Sequence, residues 1–327
     1  PGLMWRDASG EIVRNPGLTP LIDDLDMLPM PAYDLIDVQA YWKQQSMPPI
    51  PRRRYISMVT SRGCPYHCIW CHKIFGKRHR AHSPERVVAE IEHYRRDYGV
   101  DEIEFLDDTF TDDHDRVFEI CRLVTQRLGA IAMALPNGIR ADAATPDLFA
   151  ALHDAGLYFC AFPLETGSPR LQEYTGKRLD IPRFLGNLEE AARLGLLTFG
   201  FVMLGFPTET EDELQQTIDT ACESRLHLAT FLTVVPYPNT ELYRMVERQH
   251  PEKLAGLDYR DATFTYIRVN LTELPDNVLF AYQRRANRRF FLNPRRVARI
   301  VRDYPKPHLL PLYLPIFAAR VTKGIFG

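Results

Sequence analysis

Cysteine is scarce, at six in 327 residues, which argues against a disulfide-stapled secreted scaffold: such domains are shorter and far denser in Cys. No stretch approaches the roughly 20 consecutive apolar residues of a membrane span, and no signal peptide opens the sequence. Surplus charge is missing as well. Lys plus Arg number 40 against 42 for Asp plus Glu, so no global field draws in nucleic acid. Low-complexity tracts and solenoid repeats are absent. What is present is an apolar content of 45%, enough for one large core or two ordinary ones. The first residue is Pro1, and "PGLMWRDASGEIV" reads like the interior of a longer sequence, with the expectation that the parent carries an upstream domain.

Three textures follow one another. Residues 1–54 are rich in Pro and Asp and suggest an extended leader lying over another surface. Residues 55–240 alternate β-branched runs with helix-period stretches, the pattern of β-α units on a parallel sheet. Strands are predicted at 55–61, 102–107, 131–136, 157–164, 198–204 and 227–235. Ser83-Pro84 and Thr145-Pro146 announce helices as an N-cap followed by Pro at the first helical position. Gly99, Gly156 and Gly195 stand where left-handed helix ends are expected, and Thr210 leads a helix with acid in its first turn. Six such units in about 180 residues fall short of the ~250 of a full (β/α)₈ barrel, leaving a partial barrel or a doubly wound sheet. Residues 241–327 read as a helical extension, with eight arginines in 278–305 and a break at Asn293-Pro294.

The cysteines divide into two groups. Cys121, Cys160 and Cys222 sit singly in apolar surroundings and read as core residues. Cys64, Cys68 and Cys71 form C-x₃-C-x₂-C in "RGCPYHCIWC", in the loop after the first strand, at the end of the sheet where β/α active sites assemble. Zinc would want a fourth ligand, available from His67, His72, His79 or His82. An iron–sulfur cubane held by three thiolates would keep one iron open, as catalytic sites do. On ordinary grounds His67 and His72 line the loop while His79 and His82 face solvent.

The motif "TSRGCPYHCIWC", with aromatic Trp70 just before its third Cys, resembles the cluster-binding motif of the radical S-adenosylmethionine superfamily. "FLDDTF" (105–110), "LETGS" (164–168), "FVMLGFPTET" (201–210) and "VPYPNTELY" (235–243) match the family in order, so the resemblance spans residues 55–245. It implies an α/β fold, a partial (β/α)₆ TIM-like barrel with a helical C-terminal extension. The leader "IDDLDMLPMPAYDLI" and the tail are similar to the branch that carries a cobalamin-binding domain, which includes methylases and the anaerobic cyclase of chlorophyll biosynthesis. That domain is not in this sequence, so cobalamin is implied for the parent alone. Asn239 departs from the family, which has Gly there.

The resemblance implies a [4Fe–4S] cluster on Cys64, Cys68 and Cys71, with S-adenosylmethionine on the open iron and a 5′-deoxyadenosyl radical as the product of its reduction. The low-potential electron would come from a flavodoxin or ferredoxin. Asp107 and Asp108 are candidates for the methionine ammonium; adjacent on a strand, only one can face inward, and helix capping is the bland alternative. Glu165 would suit the ribose hydroxyls, or simply pair with Arg140, which in turn could hold the cofactor carboxylate. Gly205 and Pro207 would let backbone approach the adenine, or merely turn the chain, and Val235 opens the last motif on the cofactor's side. One cluster is expected, since no further cysteines are grouped. The reaction implied is cobalamin-dependent methylation, or oxidative cyclisation or rearrangement, at an unactivated carbon of a small or lipid-like substrate. A cobalamin-free enzyme of the tRNA-modifying kind is the runner-up, and a zinc-stabilised Cys₃His binding module the alternative from another class. A cytoplasmic setting is expected. The arginine-rich tail is read as packing on the barrel, with peripheral membrane contact as a lesser possibility and RNA least favoured.

Overall fold

The computed structural model describes residues 2–17, 20–44, 46–51, 53–72, 74–255, 257–259, 269–315 and 318. The leader is not simply extended. It forms an antiparallel hairpin, β1 (Met4–Arg6) with β2 (Ile12–Arg14), and a single helical turn α1 (Val38–Tyr41) capped by Asp37. The sheet then begins with β3 (Tyr55–Met58). The chain leaves it through β4 (Ser61–Arg62), which pairs antiparallel with β5 (Arg80–Ala81), and the three clustered cysteines lie on the loop between them.

From there the units repeat: α2 (Pro84–Tyr98), β6 (Glu102–Phe105), α3 (His114–Leu128), β7 (Ala132–Leu135), α4 (Pro146–Asp154) and β8 (Leu157–Glu165). A short α5 (Pro169–Tyr174) and the longer α6 (Ile181–Arg193) lead to β9 (Leu197–Leu204), α7 (Glu211–Glu223) and β10 (Leu228–Thr233). The six long strands are all parallel, in the order β10-β9-β8-β7-β6-β3. Sequence order is thus kept across the sheet, the topology of an open barrel rather than a doubly wound sheet, where the order reverses. Beyond it lie α8 (Glu241–Gln249), α9 (Asp276–Phe291) and α10 (Pro294–Asp303), the last starting at the Asn293-Pro294 break with Asn293 as its cap.

Local chemistry sets these boundaries. Ser83 and Thr145 accept from the third backbone N–H of their helices, and Thr210 completes a capping box with Glu213. Gly99, Gly156 and Gly195 all adopt positive φ. The predicted strands overran by one to three residues wherever a strand end bends into the active face, as at 59–61 and 106–107, because β propensity persists past the last ladder bond.

One face of the sheet is covered by helices. Ile56, Met58, Ile103, Phe105, Phe162, Val202 and Phe231 pack there against Val88, Ile91, Val124, Phe149 and Phe184, with Cys121, Cys160 and Cys222 buried among them as expected. The opposite face is different. Along β9 burial alternates, with Phe199, Phe201 and Met203 half-buried between fully buried neighbours, and Thr230 and Leu232 continue the pattern on β10. This concave face is apolar towards β9 and β10, and its charges at the β3–β6 side are paired: Arg53, 3% exposed, meets both Glu102 and Glu104.

Candidate active site

The cysteine loop crosses the C-terminal end of the sheet and is fastened at several points. Cys64 N–H donates to the Gly76 carbonyl at 3.3 Å, closing the loop on itself. Ile69 N–H donates to Thr175 O at 3.0 Å, and Leu242 N–H to Ile69 O at 2.9 Å, tying the loop to the turn after α5 and to α8. Trp70 packs on Phe206 with ring centres 5.3 Å apart, within a second apolar cluster that includes Leu171, Val234, Val235 and Leu242. His72 lies against Tyr237 at 5.7 Å. Where the turn after α5 meets the loop a glycine is required: at Gly176, φ +70, a Cβ would stand 2.8 Å from His67 O.

Cys64 and Cys68 are half-buried and Cys71 is exposed. Burial pushes all three thiols up, Cys71 to about 11, and Cys64 and Cys68 raise Cys71 further by repulsion between the thiolates. Cys64 also raises Cys68, so the later thiols of the loop feel the earlier ones. Among the described residues, no group of three His, Cys, Asp or Glu could hold a single metal ion. A lone zinc at about 2.3 Å would draw its ligand atoms to within ~4 Å of each other. A cubane takes each thiolate on a separate iron and demands less convergence, so three neighbouring thiols suit it as a donor set.

The other predicted residues distribute as follows. Glu165 ends β8 in the left-handed region, φ +62, a strained backbone of the kind that functional positions store. Its partner is not Arg140. Glu165 Oε1 meets Lys177 Nζ at 3.1 Å, both side chains buried, and the charges of both act on Cys68. Arg140 instead lies 4.2 Å over the Tyr66 ring, within the cysteine loop, and donates to Asp142 and to Arg178 O. Asp107 is 2% exposed; its Oδ1 accepts from Thr60 and Ser61 while its Oδ2 has no partner. Asp108 is exposed and accepts from Gly63 N–H. Neither caps the following helix; Asp113 does.

Gly205 turns the chain at φ +93, but the space its Cβ would enter is closed by Leu279 of α9 at 3.1 Å. Pro207 is half-buried beside it, and Val235 is buried in the apolar cluster. Asn239 takes φ +70, which Asn tolerates better than most residues and which explains how it replaces Gly. His82 does not face solvent; it is 8% exposed and meets Asp26 of the leader at 3.0 Å. His79 is half-buried near Asp112.

Two residues were missed. Lys177 carries the charge that neutralises Glu165, and its only signal was a basic pair, Lys177-Arg178, after Gly176. Glu209, inside a quoted motif, is 3% exposed and accepts from Gly205 and Phe206 N–H groups, while its Oε1 has no partner. Burial pushes it up to about 8.

An open parallel barrel, with a three-thiol loop across its mouth, belongs to one recognisable class. Residues 58–221 match the Radical SAM superfamily, and the chain belongs to it. It is therefore a radical S-adenosylmethionine enzyme, and the zinc-module alternative falls away. It is 31% identical over 285 residues to an uncharacterized methyltransferase of Pyrococcus horikoshii, covering 86% of this chain and 60% of that protein. Identity is 29% over 279 residues with the cytidylyl-2-hydroxyethylphosphonate methyltransferase of Streptomyces wedmorensis, covering 76% of this chain and 52% of the relative. The structure of OxsB, a cobalamin-dependent S-adenosylmethionine radical enzyme, superposes with a TM-score of 0.64 at 15% identity, over 95% of this chain and 51% of that one. The chain thus spans a little over half the length of these proteins. Among its described residues no helix is long and apolar enough to cross a membrane.

Proposed function

We propose that this chain is the catalytic core of a cobalamin-dependent radical methyltransferase acting on an unactivated carbon of an apolar substrate. The observation that carries the reading is the three-thiol loop laid over the open, apolar end of the barrel. Cys64, Cys68 and Cys71 would hold the [4Fe–4S] cluster, which when bound supplies the low-potential electron that cleaves S-adenosylmethionine. Glu165 and Lys177, a buried pair at the end of β8, would orient the cofactor's polar groups, with Arg140 held over Tyr66. The turn at Gly205–Glu209 and the buried Val235 would form the wall on the adenine side. Trp70, packed on Phe206, would hold an apolar surface beside the thiols.

Phe199, Phe201, Met203 and Leu232 line the concave face at β9 and β10, and the charges at its far β3–β6 side are already paired. This supports an uncharged, hydrocarbon or ring-bearing moiety at the reacting carbon. The two methyltransferase relatives support methylation; cobalamin is proposed for the whole protein, with the upstream domain expected to bring it. Anaerobic reconstitution tests the core of this. The chain should become brown and cleave S-adenosylmethionine under reductant, and replacing any one of the three cysteines by Ser should reduce cleavage at least 100-fold. Colourless protein retaining zinc would refute the reading. Absence of cobalamin binding in the full-length product would remove the methyltransferase half and leave the cobalamin-free alternative.

A further inference from the structure

We propose that Asp107 and Asp108 are positioning residues for the cysteine loop, Asp107 locking its root from beneath and Asp108 gripping Gly63 while keeping a negative charge beside the cluster. This rests on the cluster reading above and differs from a role for either as a cofactor ligand.

The chain leaves β6 next to the point where the loop leaves β3, with Leu106 N–H bonded to Met58 O at 2.8 Å. Asp107 Oδ1 then accepts two hydroxyl protons, from Thr60 at 2.8 Å and Ser61 at 2.6 Å. Thr60 is held from its other side by Arg116, which donates to its Oγ1 at 3.0 Å and its carbonyl at 3.1 Å, while His82 N–H donates to the same carbonyl. The resulting line, Arg116 to Thr60 to Asp107, is buried throughout. Asp107 Oδ2 and Arg116 Nη1 are each buried without a partner, so the brace itself runs through Asp107 Oδ1 and Arg116 Nη2.

The next residue acts on the loop itself. Asp108 Oδ2 accepts from Gly63 N–H at 3.0 Å, and Thr109 Oγ1 reaches Gly63 O at 3.4 Å, so Gly63 is held at both its polar groups. Gly63 cannot be replaced cheaply: at φ +93 its Cβ would lie 2.3 Å from Arg78 O, across the loop stem. Three consecutive residues, 107 to 109, therefore fix positions 60 to 63, immediately before Cys64. Because Gly63 directly precedes Cys64, the Asp108 carboxylate is anchored one residue from the first of the three thiols. A fixed negative charge at that place opposes electron addition and holds a cluster at low potential. Asp107 is 2% exposed and its Oδ1 is taken by two hydroxyls, which ties it to the loop root.

The test uses D107A, D107N and D108N alongside wild type. In the metal-free proteins, D107A should be cut by trypsin within residues 62–80 several-fold faster than wild type, and D107N, which keeps the acceptor, close to the wild-type rate. After reconstitution, D107A should lose iron to a chelator several-fold faster. D108N should keep full iron content but show a less negative midpoint potential. Should D107A not fold, S61A removes one of the two root bonds and takes its place. Wild-type rates for D107A, or an unchanged midpoint for D108N, would overturn the proposal. So would variants whose only change is weaker S-adenosylmethionine binding by equilibrium dialysis. If wild type took up no cluster, the functional reading would fail, and the metal-free cleavage rates would still judge the brace.

Discussion

At the scale of single residues, the most consequential finding is how much of the motif chemistry serves the backbone. Glu209 shows this. One carboxyl oxygen holds two N–H groups of the Gly205 turn, and burial shifts its titration from an ordinary 4.5 to about 8. Because the folded-state value is the higher one, the fold binds the proton more tightly than the unfolded chain. Stability from this group is fully present below about 4.5 and is lost as pH rises through about 8, at a rate of at most about 1.4 kcal/mol per pH unit. The melting temperature of wild type should therefore fall between pH 6 and 9 more steeply than that of E209Q, whose amide keeps the acceptor and cannot ionise. Parallel pH profiles of the two proteins would contradict this.

At the scale of elements, the arginine-rich extension divides: Arg285, Arg288, Arg289, Arg295 and Arg302 are exposed, while Arg296 turns into the fold. Arg296 is 1% exposed and lies 3.6 Å over the Phe290 ring. It donates to Cys222 O at 2.6 Å and to Leu226 O, and Arg299 reaches Ser224 O at 3.5 Å. These carbonyls belong to the C-terminal end of α7 and the turn after it, where orphaned acceptors and the negative end of the helix dipole favour a cation. α10 therefore caps α7, which packs against the sheet. Arg296→Ala should lower stability by about 2 to 3 kcal/mol, with charged hydrogen bonds and ring packing both lost. Denaturant unfolding measures it, and a change under about 0.5 kcal/mol would show that water satisfies those carbonyls equally well.

At the scale of the whole molecule, the leader and the tail meet under the sheet. Tyr304 donates to Pro49 O at 2.5 Å, with Ile50 and Leu309 packed alongside and Tyr158 against them. Next to this junction Arg53 reaches Glu102 and Glu104, all three buried. Breaking one partner of a buried ion cluster leaves uncompensated charge, so Arg53→Met should cost about 3 to 5 kcal/mol. The combined R53M/E102Q/E104Q variant should recover most of that loss, because no charge remains unpaired. Equal instability of the single and triple variants would mean that the guanidinium matters for packing over Tyr55 rather than for charge.

The sequence by itself determined the repeated β-α order, the helix caps, the break at Asn293-Pro294 and the three-thiol motif, because each is written in neighbouring residues. Spacing along a chain also put Cys64, Cys68 and Cys71 on one loop. Only the tertiary structure decided that Glu165 pairs with Lys177 instead of Arg140, that His82 is buried against the leader, and that Asp107 faces the loop root. Those outcomes depend on which surfaces meet across the sheet, and a buried charge takes whichever partner the packing brings within reach.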